Sequence, residues 1–98
     1  MHRADICNII SSNKFKIEIV RGQYQIFIAT GDYSESTYTA IDINGQQKWM
    51  PDEIIKEGRF EAVVLPVMQQ KDGIMEIGFS TNCECLWKVN MIIINRLL

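Results

Sequence analysis

An all-β fold, a small antiparallel β-sandwich with about seven strands and one short helical turn, is what this sequence predicts. Three observations carry that expectation. Apolar residues recur at every second position through much of the chain, the period of a half-buried strand. Turn-forming pairs, Arg21-Gly22, Asn44-Gly45 and Asp72-Gly73, separate the alternating stretches. Only Pro51 to Lys56 has the composition of a helical turn. A barrel is the alternative closure of the same strands.

The elements follow in order. Lys14 to Val20 sets Phe15, Ile17 and Ile19 against Lys14, Lys16 and Glu18, and Tyr24, Ile26 and Ile28 resume the pattern after Arg21-Gly22, so the two stretches read as a hairpin. Thr30 to Ser36, T-G-D-Y-S-E-S, is rich in turn formers and reads as a loop. Thr37 to Ile43 is β-branched, and Asn44-Gly45 is the preferred pair for a two-residue turn, which places a second hairpin there. Pro51, followed by Asp52 and Glu53 and closed by Gly58, has the order of a helical turn with its acidic residues at the positive end of the dipole.

Phe60 to Met68 is apolar on both faces, as a doubly covered central strand would be, whereas Pro66 lacks the N–H a central strand needs and favours an edge. Met75, Ile77 and Phe79 share one face of the next strand, with Glu76 on the other. After a break at Ser80 to Asn82, Glu84 to Asn95 reads as a long last strand. Its apolar end, Met91 to Ile94, must be covered by core or by an interface.

Composition narrows the function classes. With 47% apolar and 22% charged residues the chain is too hydrophobic for disorder, and 98 residues suffice for one core, hence a single β domain over 1–98. The formal charge is −2 and the ten Lys and Arg residues are scattered, which argues against a nucleic-acid partner. The longest apolar runs fall far short of the ~20 residues of a membrane helix. Asp5 and Asn8 interrupt what would be the core of a signal peptide, and three cysteines do not make a disulfide framework. The expected setting is a reducing one, cytoplasmic or virion-associated, with no cofactor.

No catalytic set can be assembled. Asp52 and Glu53 are adjacent, so on a helical turn they splay about 100° apart and do not converge on one atom. Cys83 and Cys85, with Cys7 and His2, could in principle hold zinc, but the spacing lacks a C-x-x-C turn, and buried packing is the commoner fate of free cysteine. His2, the only imidazole, lies next to a terminus, where a general base is poorly held. The candidates that remain belong to recognition. Asp32, Tyr33 and Glu35 lie in the loop richest in adaptable contacts, and Trp49 and Trp87 are the residue type that most often anchors interfaces.

The stretch Thr39 to Val67, TAIDINGQQKWMPDEIIKEGRFEAVVLPV, resembles part of the small immunoglobulin-like domains of phage and prophage tail and baseplate proteins. Pro51, Glu53, Ile54, Ile55, Gly58, Phe60, Ala62 and Val64 occupy the pattern of proline, acidic residue, aliphatic pair, glycine and alternating strand. The resemblance covers about a third of the chain and implies an immunoglobulin-like form of the sandwich and a non-enzymatic structural or adaptor protein, with the elbow at 49–60 as a crossover between sheets. It also implies a protein partner or self-association, hence a homo-oligomer. Two other readings use the same residues: a small inhibitor or immunity-type protein presenting Asp32 to Glu35 to a basic enzyme, and a small barrel that stacks single-stranded nucleic acid on its aromatics.

Overall fold

Seven strands, β1 (Asn13–Ile19), β2 (Gly22–Gly31), β3 (Ala40–Ile43), β4 (Gln46–Trp49), β5 (Phe60–Gln69), β6 (Gly73–Ser80) and β7 (Met91–Leu97), form two antiparallel sheets. The computed structural model describes residues 13–81 and 85–97. One sheet runs β1-β6-β3-β4 and the other β5-β2-β7, and no helix occurs among the described residues. The sheets remain separate layers, so the arrangement is a sandwich and not a closed barrel.

Inward-facing residues of both layers make one core. Ile26 and Ile28 of β2 meet Ile41 and Ile43 of β3 and Met75 and Ile77 of β6, all essentially inaccessible to solvent. Each such side chain contributes roughly 1.5–3 kcal/mol by leaving water, which is why strict alternation selects this pairing and no one-residue slip of it.

Every connection except the β3–β4 hairpin changes sheet. That hairpin is the one expected, with Asn44 at φ 52° and Gly45 at φ 83°, both positive as a two-residue turn of this twist requires. The expected β1–β2 hairpin does not form. β1 pairs with β6, from Asn13↔Phe79 to Ile19↔Gly73, while β2 pairs with β5 and β7. Val20 and Arg21 instead carry the chain between layers, pinned by Tyr24 Oη donating to the Val20 carbonyl (2.7 Å) and by the Arg21 N–H donating to Asp72 (2.7 Å). Two layers are therefore present as expected. The immunoglobulin order, with its first two strands as neighbours, is replaced by another.

Further expectations are corrected. Pro51 to Lys56 is irregular rather than helical, because Ile55 is drawn into a bridge with Thr37: each donates its N–H to the other's carbonyl, at 2.8 and 2.9 Å. Residues 50–59 nevertheless link the four-stranded layer to the three-stranded one, so the expected crossover is there. β2 runs on through Thr30 and Gly31, and β3 begins at Ala40 rather than Thr37. The last strand starts at Met91, since residues 86–90 bond to the loop ahead of β3 and to β2. β5 is an edge strand, as Pro66 indicated against the apolar run around it. His2, Cys7, Cys83 and Glu84, invoked for a zinc site or the start of the last strand, lie outside the described residues.

Candidate binding surfaces at the loop end and on the outer sheet face

The long connections gather at one end of the sandwich. Residues 32–39, 50–59 and 85–90 meet around Thr37, which bonds to Ile55 on one side and bridges Leu86 on the other, with the Tyr38 N–H donating to the Leu86 carbonyl (3.0 Å). The Gly58 N–H donates to the Asp32 carbonyl (2.8 Å), closing the elbow onto the first loop. Thr39, fully buried, accepts from the Lys88 N–H at 2.9 Å and donates to the Lys88 carbonyl at 3.1 Å. The Asn90 side chain donates to the Gly31 carbonyl at 2.9 Å.

All five residues singled out from the sequence lie at this end, in different roles. Asp32 is a fastener. Its carboxylate accepts from the Ser34 N–H (3.0 Å), the Glu35 N–H (3.1 Å) and the Ser34 hydroxyl (3.2 Å), and pairs with Lys88 at 3.0 Å. The Ser34 backbone donor above all, then the Lys88 ammonium, holds its pKa at about 2, against an ordinary 3.8. Tyr33, 85% exposed, and Glu35 stand out into solvent beside it. Trp87 is half-buried and stacks on Phe79, ring centroids 5.7 Å apart at 20°, so it completes the core instead of presenting a face.

Trp49 differs. Although packed against the core, it lines an open groove of about 600 Å³ formed with the elbow. Pro51 and Ile55 are its buried residues, and the exposed carboxylates of Asp52, Glu53 and Glu61 line it with the cations Lys56 and Arg59. With no helix at Pro51, the acidic pair has no dipole to complement; both members are exposed at the groove. Sequence spacing missed this site because Trp49 and Glu61 are brought together only by the change of sheet. No cluster of three or more potential metal ligands occurs among the described residues.

A second surface was read from the sequence only in part, through the apolar end of the last strand, Met91 to Ile94. The outer face of the four-stranded sheet is polar, with Glu76 accepting both Lys14 (3.5 Å) and Lys16 (3.6 Å). The outer face of β5-β2-β7 is apolar over the half where β5 begins and mixed over the other, where Gln25 and Asn95 stand in one row with Pro66 and Gln23 stands between Met68 and Leu97. Val64, Phe27 and Ile93 stand in one cross-strand row and Ala62, Ala29 and Met91 in the next, with Phe60 at one end and Met68 and Leu97 at the other. The other signal was the double-faced apolar run of β5, which suggested cover on both sides.

No protein-family model and no curated protein matches the sequence. Among solved structures, the chain is similar to a family 35 carbohydrate binding module from an environmental isolate, with a TM-score of 0.61 and 13% identity over 88% of this chain. It spans 66% of that module's length. A second similar structure is the CBM35 of Paenibacillus barcinonensis, with a TM-score of 0.55 and 14% identity, covering 90% of this chain and 73% of that one. At these identities the likeness is one of fold.

Proposed function

We propose that this chain is a non-enzymatic recognition module that takes a carbohydrate in the groove beside Trp49. The observation that carries the reading is the pairing, in one open groove, of an indole with carboxylates and an arginine. A sugar ring offers an apolar C–H face and a rim of hydroxyls. An aromatic side chain packs against the first, while charged acceptors and donors hold the second. The solved structures of similar fold, both carbohydrate binding modules by description, support the ligand class.

The test is a titration with a panel of neutral and uronic-acid oligosaccharides, followed by indole fluorescence and by amide chemical shifts. Saturable shifts confined to 49–61, lost in Trp49→Ala and weakened in Arg59→Ala, are expected. Arg59 is exposed, so its variant reports on binding in an intact fold. Absence of any saturable response at millimolar sugar across the panel sinks this reading.

A second reading is favoured by a different observation. The part-apolar outer face of β5-β2-β7 has the character of a protein docking surface, and it suits the adaptor or assembly role, phage tail assembly included, that the 39–67 resemblance implies. Its test is uptake of an apolar dye by the folded chain, abolished by Val64→Asp.

A further inference from the structure

Resting on the docking reading of the β5-β2-β7 face, we infer that its occupant is a second copy of this chain, packed sheet on sheet with strands antiparallel about a twofold axis at the Val64–Phe27–Ile93 row.

Area is the first argument. Taking about 200 Å² per large residue, the exposed fractions of Phe60, Val64, Met68, Met91, Ile93 and Leu97 present on the order of 600 Å² of apolar surface. Phe27, Ala62 and Pro66, with the exposed Gln23, Gln25 and Asn95 that share the face, bring it near the ~800 Å² per partner of a standard interface, which is itself only partly apolar.

Charge is the second, and it fixes the orientation. At the end of the face where β2 begins lie three cations, Arg21, Lys71 and Arg96, with one carboxylate, Asp72, already bonded to the Arg21 N–H. At the other end, around the start of β5, Asp52, Glu53, Glu57 and Glu61 outnumber Lys56 and Arg59. Copies stacked with strands parallel would set like ends together; antiparallel stacking sets each cationic end over an acidic one.

Shape is the third. A twofold interface must carry both a knob and its hole. Phe60, 56% exposed, projects at the acidic end, four residues before Val64. Four residues beyond Val64 on the same strand, Met68 borders a depression of about 420 Å³ whose lining is part apolar (Leu97, Gly22) and part polar, with the glutamines at 23, 69 and 70 beside Arg21 and Arg96. Rotation about the Val64 row places Phe60 of one copy over this depression of the other, its ring between Met68 and the two guanidinium groups.

Sedimentation equilibrium of the chain, with Val64→Asp and Phe60→Ala beside it and circular dichroism as the check on folding, decides the matter. The expected result is a dimer that Val64→Asp weakens at least about a hundredfold, by facing two carboxylates across the axis, and that Phe60→Ala weakens about tenfold. Rising salt weakens the dimer as well. A dimer that survives Val64→Asp in a folded protein overturns the inference, and so does a strict monomer. A monomer that still takes up apolar dye at this face leaves the docking reading standing with another partner; one that takes up none removes both.

Discussion

Lys88 Nζ lies 3.0 Å from Asp32 Oδ1, joining the loop that leaves β2 to the segment that enters β7. Asp32 is also the hub of its own turn, so one carboxylate holds two of the three connections at the loop end. The groove beside Trp49 rests on the third, which the Gly58–Asp32 backbone bond ties to them.

The fastener is pH-dependent, with a definite sign. The folded-state pKa, about 2, lies below the ordinary 3.8, so the stabilisation is full above that ordinary value and is lost as pH falls through the folded one. Asp32→Asn keeps an acceptor but not the charge. The melting temperature of the wild type should exceed that of Asp32→Asn by a constant margin from about pH 5 to 7, a margin that closes as pH falls from about 4 towards 2. A margin unchanged at the acid limit contradicts the assignment.

Two buried threonines should respond oppositely. Thr39→Val leaves the Lys88 N–H and carbonyl without the hydroxyl that serves both, a loss of about 1–3 kcal/mol in urea unfolding. The Thr37 hydroxyl, equally buried, has no hydrogen-bond partner among the described residues. Thr37→Val should therefore be neutral within about 0.5 kcal/mol or stabilising. Equal losses for the two variants are the outcome that contradicts this account.

Gly31 and Gly45 separate backbone strain from crowding. A methyl group at Gly45 (φ 83°) meets nothing within 4 Å and should cost about 1 kcal/mol, from the left-handed backbone alone. At Gly31 (φ 129°) it would lie 2.8 Å from Phe60 Cα and also against the Arg59 carbonyl. Gly31→Ala should cost at least about 2 kcal/mol more than Gly45→Ala, because β5 must shift to admit it. Thermal unfolding of the two variants ranks them.

Core and surface isoleucines provide the scale for these values. Ile77→Ala, at a fully buried position, should cost about 2–5 kcal/mol by denaturant titration, and Ile74→Ala, 51% exposed on the same strand, less than about 1 kcal/mol. Similar costs at both positions would mean that the polar-side sheet face is covered by something.

Local features were legible in the chain. The alternation of Lys14 to Val20 specified an extended segment with one apolar face, and Asn44-Gly45 specified its turn because a two-residue loop of that hand needs two positive φ values. Pro66 marked an edge strand because it has no N–H to give a second neighbour. Trp49, Tyr33, Glu35, Asp32 and Trp87 were singled out by residue type, and they do lie at one end of the fold. Their roles, however, depend on neighbours distant in sequence: Lys88 for Asp32, Phe79 for Trp87, and the elbow for Trp49.

By itself, then, the sequence determined where most strands run, the apolar side of those that alternate, and the Asn44-Gly45 hairpin, since each depends on residues a few positions apart. The hairpin it equally indicated at Arg21-Gly22 does not form. Only the tertiary structure decided that β1 joins β6 and not β2, that 50–59 folds as a bridge to Thr37 and not as a helical turn, and that the second apolar face of β5 points outward. The physical reason is that a period of two distinguishes the two sides of a strand but not which side another layer will cover. That depends on the sum of contacts with chain segments tens of residues away.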